Sequence, residues 1–284
     1  MKSRSRIATI TGRHHPLVKM VRGMARSGEL RANDQVLLET PNLIEDALAS
    51  GVAIPAVLVS SSASPAARKL LQTLPSQTEI FQLASNLFAS LATTENSPGI
   101  LALAEAPVWE EADLFREKPP LLIVLAGVQD PGNLGAILRT AEAFGATGAL
   151  LARGTVSPFN AKAVRAASGA LFRLPVLQDL ALAQLVSLLR GREVPLLASV
   201  ARGGRLLQEA KEVRGPVAIA FGSEGAGLPP ELEQAGISVS IPMTRQAESL
   251  NVAAAAAVIL YEIAQQRRSV SGTTRSNKQP VPRA

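Results

Sequence analysis

The sequence predicts an α/β fold, with a parallel sheet in its second half and a smaller α/β domain before it. Short apolar runs of strand length alternate with helix patterns along most of the 284 residues. Residues 121–145 join a continuous apolar run to the turn Asp130-Pro131-Gly132-Asn133, and a helix pattern follows at once. This order is typical of open α/β sheets, in which ligands bind beyond the carboxyl ends of the strands.

The first domain is predicted to occupy residues 1–106. An apolar face of Leu17, Val18, Val21 and Met24 indicates a helix in its basic first segment. Asn42, with Glu45 in capping-box position, predicts the start of a helix that Gly51 ends. The other predicted elements are strands at 36–39, 56–59, 80–83 and 100–104 and helices at 65–74 and 85–91.

Residues 107–120 are predicted to be a linker, in which Trp109 covers an interdomain seam. The second domain, 121–268, is predicted to hold strands at 121–126, 148–151, 196–200, 217–221 and 239–241 and helices from 134, at 160–170, at 180–189 and at 249–266. The last helix, with Ser249 as its N-cap, is apolar nearly all round, so we expect it to be buried. Residues 269–284 are basic and polar, which predicts a disordered tail.

The charge balance favours an anionic partner. Lys and Arg number 29 against 23 Asp and Glu, a net charge of +6, and nucleic acid is the leading candidate. Aromatic residues make up only 3%, which disfavours a base-stacking platform. Residues 1–31 are either a solvated basic helix or an RNA-contacting arm. The candidate RNA-binding residues are Arg13, Lys19, Arg22 and Arg165.

The composition also excludes several kinds of chemistry. Without cysteine the chain has no disulfide, thiol nucleophile or Cys-ligated zinc. Its only histidines, His14 and His15, lie in the basic arm, so the second domain has no Ser-His-Asp triad and no His-rich metal site. No apolar run reaches membrane-spanning length and no signal peptide is present, so we expect a cytoplasmic protein without a metal.

Glycine and polar residues gather at three strand ends, in 130–135, 222–227 and 242–251, which predicts one shared cleft. The glycine spacing matches neither a dinucleotide fingerprint nor a phosphate loop, so an NAD oxidoreductase is a remote alternative. Glu224 either acts in catalysis or accepts hydrogen bonds from loop amides. Such a cleft suits a cosubstrate that is already activated, such as S-adenosylmethionine. It offers backbone amides and the side chains of Asn133, Arg139, Glu224, Ser249 and Asn251.

Three segments resemble the sequence motifs of a known family: DPGNLGAILRTAEAFG, FGSEGAGLPPEL and IPMTRQAESLNVAAAAAVILYE. They are similar to those of the SpoU (TrmH-like) RNA 2′-O-ribose methyltransferases of the SPOUT superfamily. The first domain resembles the family's substrate-binding domain more loosely, through LLETPNLIEDALASG and SPGILALAE. Thr40 stands where a glycine is common.

The resemblance implies a C-terminal trefoil knot, a homodimer and S-adenosylmethionine held largely by main chain. It implies that Gly222, Ile241 and Leu250 line the adenosine site. It also implies that Arg139 lies at the ribose 2′-hydroxyl, where we expect it to orient the hydroxyl and lower its pKa rather than act as a base. Asn133 and Asn251 would position Arg139 or the ligands, Ser249 would assist, and Glu224 would order its loop.

The size of the first domain favours a large folded target, 23S ribosomal RNA, by analogy. Transfer RNA remains an alternative substrate. A non-catalytic RNA-binding protein on the same scaffold is the alternative from another class. The modified nucleotide, and a role in housekeeping or in antibiotic resistance, stay open.

Overall fold

The computed structural model describes residues 7–29, 31–32, 34–244, 246 and 248–271. The basic residues Lys2, Arg4 and Arg6 lie outside the described residues, as do positions 272–284 of the predicted disordered tail. None of the described helices combines the length and apolarity needed to cross a bilayer.

The first half of the chain forms a six-stranded mixed sheet in the order β1-β5-β4-β6-β3-β2. Its strands are β1 (Ile7–Ile10), β2 (Arg31–Ala32), β3 (Gln35–Glu39), β4 (Ala56–Ser60), β5 (Glu79–Leu83) and β6 (Ile100–Glu105). Its helices are α1 (Pro16–Ser27), α2 (Pro41–Ala49), α3 (Pro65–Leu70) and α4 (Ser85–Ala89). The four predicted strands are confirmed, whereas β1 and the two-residue β2 were not predicted.

Helix α2 begins one residue before the predicted start. Thr40 is its cap, and the Thr40 hydroxyl accepts a hydrogen bond from the Leu43 amide at 3.3 Å. The capping-box prediction for Asn42 and Glu45 is therefore wrong, because a proline at the first helical position with threonine before it is the stronger start signal. Thr40 has a φ of 125°, a region that favours glycine. This conformation explains why glycine suits this position.

The second half forms a seven-stranded sheet in the order β11-β13-β10-β12-β7-β8-β9, and every neighbouring pair is parallel. Its strands are β7 (Leu121–Leu125), β8 (Gly148–Ala152), β9 (Val176–Leu180), β10 (Leu196–Ser199), β11 (Arg205–Leu206), β12 (Val217–Phe221) and β13 (Ile237–Ser240). Its helices are α5 (Pro131–Ala143), α6 (Ala161–Ala167), α7 (Leu182–Gly191), α8 (Pro230–Ala235) and α9 (Val252–Ser271). The predicted α/β class with a parallel sheet is confirmed.

Three elements of this half were missed: β9, β11 and α8. Strand β9 pairs on one side only, with β8, and its sequence VLQDL contains two consecutive polar residues, so it forms no continuous apolar run. Residue 180, predicted to begin a helix, instead ends this strand. The predicted linker also contains a 3₁₀ helix, Glu111–Phe115, whose Leu114 is buried against Gly148.

Helix α9 differs from its prediction at both ends. Asn251 caps it in place of Ser249, since the Asn251 side-chain oxygen accepts from the amides of Ala253 at 2.9 Å and Ala254 at 3.2 Å. The helix continues through residues 269–271, which were assigned to the disordered tail. It is not buried all round, because Val258 is 47% exposed and Tyr261 51% exposed.

The buried face of α9 packs on α5 and joins a core that extends over both sheets. A second apolar cluster covers the opposite face of the second sheet. At the far end of α9, the half-buried Arg267 donates to the carbonyl oxygens of Val213 at 2.8 Å and Gly215 at 2.6 Å. Burial lowers the pKa of Arg267. These contacts fix α9 across α5, beside the strand ends that form the site.

Candidate active site

A cleft is present at the carboxyl edge of the second sheet, and it is lined by residues of the predicted segments 222–227 and 242–251 but by none of 130–135. The ends of β10, β12 and β13 open onto this edge, and a cavity of about 310 Å³ lies there. Its walls are residues 199–201, 221–227, 241, 243, 249–250, 252 and 255. The loop after β10, residues 199–201, was not predicted to line the cleft, although the Gly203-Gly204 pair that follows it was a signal.

The loop after β12 is closed by its own main chain. The Ser223 amide donates to the Gly227 carbonyl at 3.0 Å, and the Gly227 amide donates back to the Ser223 carbonyl at 3.1 Å. A Cβ on Gly222 would lie 2.1 Å from the Gly227 carbonyl carbon, so no side chain fits at position 222. Gly227 has a φ of 72°, which glycine tolerates. The main chain itself therefore forms this wall.

The candidate cofactor residues Gly222, Ile241 and Leu250 all line this cavity. Ile241 is partly buried, whereas Leu250 remains 41% exposed. Ser249 also lines the cavity and is exposed. The wall therefore combines peptide groups with aliphatic side chains, a surface suited to a flat, partly apolar ring with polar edges.

Three of the predicted catalytic residues form one hydrogen-bonded chain. The Asn133 amide nitrogen donates to Glu224 Oε1 at 2.6 Å, and the Asn251 amide nitrogen donates to Asn133 Oδ1 at 3.2 Å. Residues from α5, the β12 loop and the start of α9 are thereby joined. Among the described residues, Glu224 accepts from Asn133 and not from the amides of its own loop.

Arg139 lies apart from this chain. It sits on α5, on the side opposite the buried Leu134, Ile137 and Leu138, and its side chain is exposed. It makes no hydrogen bond or ion pair with any residue that the structure describes. The guanidinium is therefore free to meet an external group.

Lys162 supports the start of α5, a contact that the sequence did not reveal. Asp130 caps α5 by accepting from the Asn133 amide at 2.9 Å, and its second oxygen lies 2.7 Å from Lys162 Nζ. The hydrogen bond from Lys162 is the main cause of the lowered pKa of Asp130. The charged carboxylate suits the positive end of the helix.

The candidate RNA-binding residues lie away from the cavity. Arg13, Lys19 and Arg22 are in or just before α1, and Arg165 is on α6. Arg13, Lys19 and Arg165 are exposed, and Arg22 is half-buried. Within the described ranges, no group of three His, Asp or Glu side chains could hold a metal ion.

Two family models match the chain. The SpoU rRNA Methylase family matches residues 120–261. The N terminus of the thiostrepton-resistance methylases matches residues 7–118. Together they cover both sheets.

Individual proteins agree with these matches. An uncharacterised tRNA/rRNA methyltransferase of Synechocystis is 35% identical over 94% of this chain and 97% of its own length. The 23S rRNA (guanosine(2553)-2′-O)-methyltransferase RlmP of Bacillus subtilis is 33% identical over 80% of this chain and 87% of its own. The crystal structure of the SpoU methyltransferase AviRb from Streptomyces viridochromogenes with AdoMet superposes with a TM-score of 0.78 at 27% identity, over 87% of this chain and 98% of that chain. The chain belongs to the SpoU rRNA methylase family.

Proposed function

We propose that this protein transfers the methyl group of S-adenosylmethionine to a ribose 2′-hydroxyl of RNA, and that the RNA is 23S ribosomal RNA. The observation that carries the proposal is the glycine-walled cavity joined to the Glu224–Asn133–Asn251 chain. The named activities of RlmP and AviRb support the reaction and the cofactor. RlmP, which acts on 23S rRNA, supports ribosomal over transfer RNA.

The cavity fits S-adenosylmethionine. Its volume of about 310 Å³ lies within the usual range for small-molecule sites. Ile241 and Leu250 would contact the adenine, and the main chain of 222–227 would bind its polar edges. When bound, S-adenosylmethionine supplies a methyl group on a positively charged sulfur, which is activated for transfer.

The side chains then have to position the ribose. We assign Arg139 to the 2′-hydroxyl, where its fixed positive charge orients the oxygen and stabilises negative charge that develops on it. We assign Glu224 to ordering the cofactor loop through Asn133, while Asn251 holds Asn133 from the other side. Ser249, on the cavity wall, assists at the ribose.

We propose that the active unit is a homodimer. Val258 and Tyr261 are about half exposed on α9, and Tyr261 meets the ring of Phe144 edge-on at 5.8 Å. Exposed large apolar side chains on a long helix are typical of a surface that a second copy covers. Arg139 is exposed on α5, which packs against α9, so a partner would complete its surroundings.

We also propose a C-terminal trefoil knot and a separate role for each segment of the chain. The knot rests on the family to which the chain belongs, and the return of α9, which follows β13 in the chain, to pack on α5 is compatible with it. We assign residues 1–106 to RNA binding, 107–120 to the linker and 121–268 to methyl transfer. A ribosomal RNA substrate implies a cytoplasmic location.

The test is transfer of labelled methyl to 23S ribosomal RNA and to transfer RNA, with calorimetric titration of S-adenosylmethionine in parallel. We expect label in the ribosomal RNA, in a nuclease-resistant 2′-O-methyl linkage. Arg139→Lys should lose at least 100-fold in kcat and keep cofactor affinity within about twofold, because a point charge cannot replace the guanidinium fork. Label only in transfer RNA would overturn the substrate assignment, and Arg139→Lys activity near wild type would overturn the role of Arg139.

The alternative, a non-catalytic RNA-binding protein, makes a different prediction in the same experiment. Such a protein binds RNA but transfers no methyl group to either RNA. If it also shows no heat of binding with S-adenosylmethionine, the cavity serves another purpose.

A further inference from the structure

A second polar surface lies at one edge of the first sheet. Strands β1, β5 and β4 are parallel. Strand β3 runs in the same direction, because both β3 and β4 pair antiparallel with β6. The carboxyl ends of these strands therefore meet at one edge. We call this surface the hydroxyl edge: residues 11–14, 60–64, 85 and 93–94.

Serine side chains of the hydroxyl edge bond to one another. Ser61 Oγ lies 2.9 Å from Ser85 Oγ, Ser85 Oγ donates to Ser62 Oγ at 2.9 Å, and Ser62 Oγ lies 3.1 Å from Ser60 Oγ. Ser61, Ser62 and Ser85 are exposed. Each hydroxyl has one donor and two acceptor positions, so capacity remains on the outside for a polar ligand.

Arginines beside these serines have no acidic partner. Arg68 donates to the carbonyl oxygens of Ala63 and Ser61, each at 3.0 Å. Arg22 donates to the Arg13 carbonyl at 3.4 Å. Across the described part of the chain, seven ion pairs involve other cations, and none involves Arg13, Arg22, Arg68 or Arg165. Their positive charges are therefore uncompensated.

The buried carboxylate of Glu39, near this edge, accepts its hydrogen bonds from threonines and not from an arginine. Glu39 is 3% exposed and accepts from the Thr93 amide at 2.9 Å, the Thr94 hydroxyl at 3.0 Å and the Thr93 hydroxyl. It fixes the 93–94 turn without neutralising an arginine. Arg165 of α6 donates to the Thr93 hydroxyl at 3.4 Å, so the cationic surface continues onto the second half of the chain.

We propose that the hydroxyl edge binds the sugar–phosphate backbone of the RNA substrate, and that Arg13, Arg22, Arg68 and Arg165 contact its phosphates. Exposed hydroxyls and unpaired guanidinium groups are the donors that proteins use for phosphate and sugar oxygens. Such contacts fix orientation without reading sequence. The identity of the ligand rests on the proposed function. The surface is separate from the cofactor cavity and adds Arg68 and the serines to the RNA-binding residues.

The test compares the double variant Arg13→Ala/Arg68→Ala with wild type in binding of deproteinised 23S ribosomal RNA over a range of salt concentrations. Each lost phosphate contact should reduce the salt slope by about one and, at about 0.1 M salt, reduce affinity by roughly 8-fold. The double variant should thus bind roughly 60-fold more weakly. Its affinity for S-adenosylmethionine should be unchanged, because neither residue lines the cavity.

Arg190→Ala/Arg214→Ala is the matched control, since it removes the same charge from two exposed arginines elsewhere that, like Arg13 and Arg68, form no ion pair among the described residues. We expect this control to change RNA affinity by less than threefold. Ser61→Glu is a second probe that deletes no arginine, and it should weaken RNA binding by at least tenfold through charge repulsion. Wild-type affinity and salt slope in the Arg13/Arg68 variant, or equal losses in the Arg190/Arg214 control, would overturn the proposal.

The two proposals fail in different ways. If wild-type protein transfers no methyl group yet its RNA affinity depends on Arg13 and Arg68, the proposed function fails and the hydroxyl edge stands. If wild-type protein methylates the RNA and the double variant does so with unchanged KM for RNA, the proposed function stands and the hydroxyl edge fails.

Discussion

Replacing Gly135 by alanine should destabilise the protein, although a glycine-to-alanine change inside a helix usually stabilises it. Gly135 is buried where α5 crosses α6. A Cβ at this position would lie 2.4 Å from the Ala163 carbonyl oxygen and 2.6 Å from the Ala166 Cβ. Ordinary contacts begin near 3.4 Å, so α6 would have to move by about 1 Å. Backbone in a packed helix pair cannot make this shift freely.

The magnitude follows from two opposing terms. Alanine in a helix interior is worth about 0.5–1 kcal/mol relative to glycine. Overpacking a close contact costs about 1–3 kcal/mol. The net expectation for Gly135→Ala is a loss of about 0–2.5 kcal/mol, which for a protein of this size is a fall in Tm of up to roughly 10 °C.

The matched control is Gly23→Ala in α1. A Cβ on Gly23 has nothing within 4 Å, so alanine there should gain about 0.5–1 kcal/mol. Scanning calorimetry of the two variants and wild type measures both effects. Gly135→Ala should also slow methyl transfer more than it weakens cofactor binding, because α5 carries Asn133 and Arg139. A Gly135→Ala protein as stable as Gly23→Ala would refute the reasoning.

Substitutions at three further positions test the same structure. Thr40→Gly should raise the free energy of unfolding, measured by urea titration, by about 1 kcal/mol because glycine relieves the positive φ. Thr40→Ala should lower it by a similar amount because the helix cap is lost. Lys162→Met should cost stability at pH 6. The difference in free energy of unfolding between this variant and wild type, measured by urea titration, should shrink near pH 3. The pKa of Asp130 is lowered in the folded state, so its contribution to stability is complete above pH 3.8 and is lost as the pH falls through the folded-state pKa. Gly222→Ala should abolish calorimetric binding of S-adenosylmethionine, because its Cβ would lie 2.1 Å from the carbonyl carbon of Gly227.

The parts of the site built from main chain were predictable. Gly222 has to be glycine because the Gly227 carbonyl occupies the space of its Cβ, so the glycine pattern records the loop geometry directly. Asn133, Glu224 and Asn251 were each singled out from the sequence, but their hydrogen bonds were not, because these residues come from three separate segments. They come together only when β7 pairs with β12 and α9 packs on α5.

Elements without a strong local signal were missed. Strand β9 is an edge strand with polar residues such as Gln178 and Asp179, so it lacks an apolar run. The start of α9 was placed at Ser249, because serine and asparagine are comparable caps. Asn251 prevails since its oxygen reaches two free amides of the first turn. The choice between neighbouring caps depends on the path of the preceding loop, which local sequence does not encode.

Helix α6 contacts both halves of the molecule and so contributes to the spacing between them. On one side, the Ala161 amide donates to the Gly28 carbonyl at 2.8 Å and Arg165 reaches Thr93. On the other side, Lys162 holds Asp130 at the start of α5. An RNA that binds the hydroxyl edge is thus separated from the cofactor cavity by rigid elements. Because a misplacement of about 1 Å can cost 100-fold in rate, loosening α6 should reduce methyl transfer even where RNA and cofactor still bind.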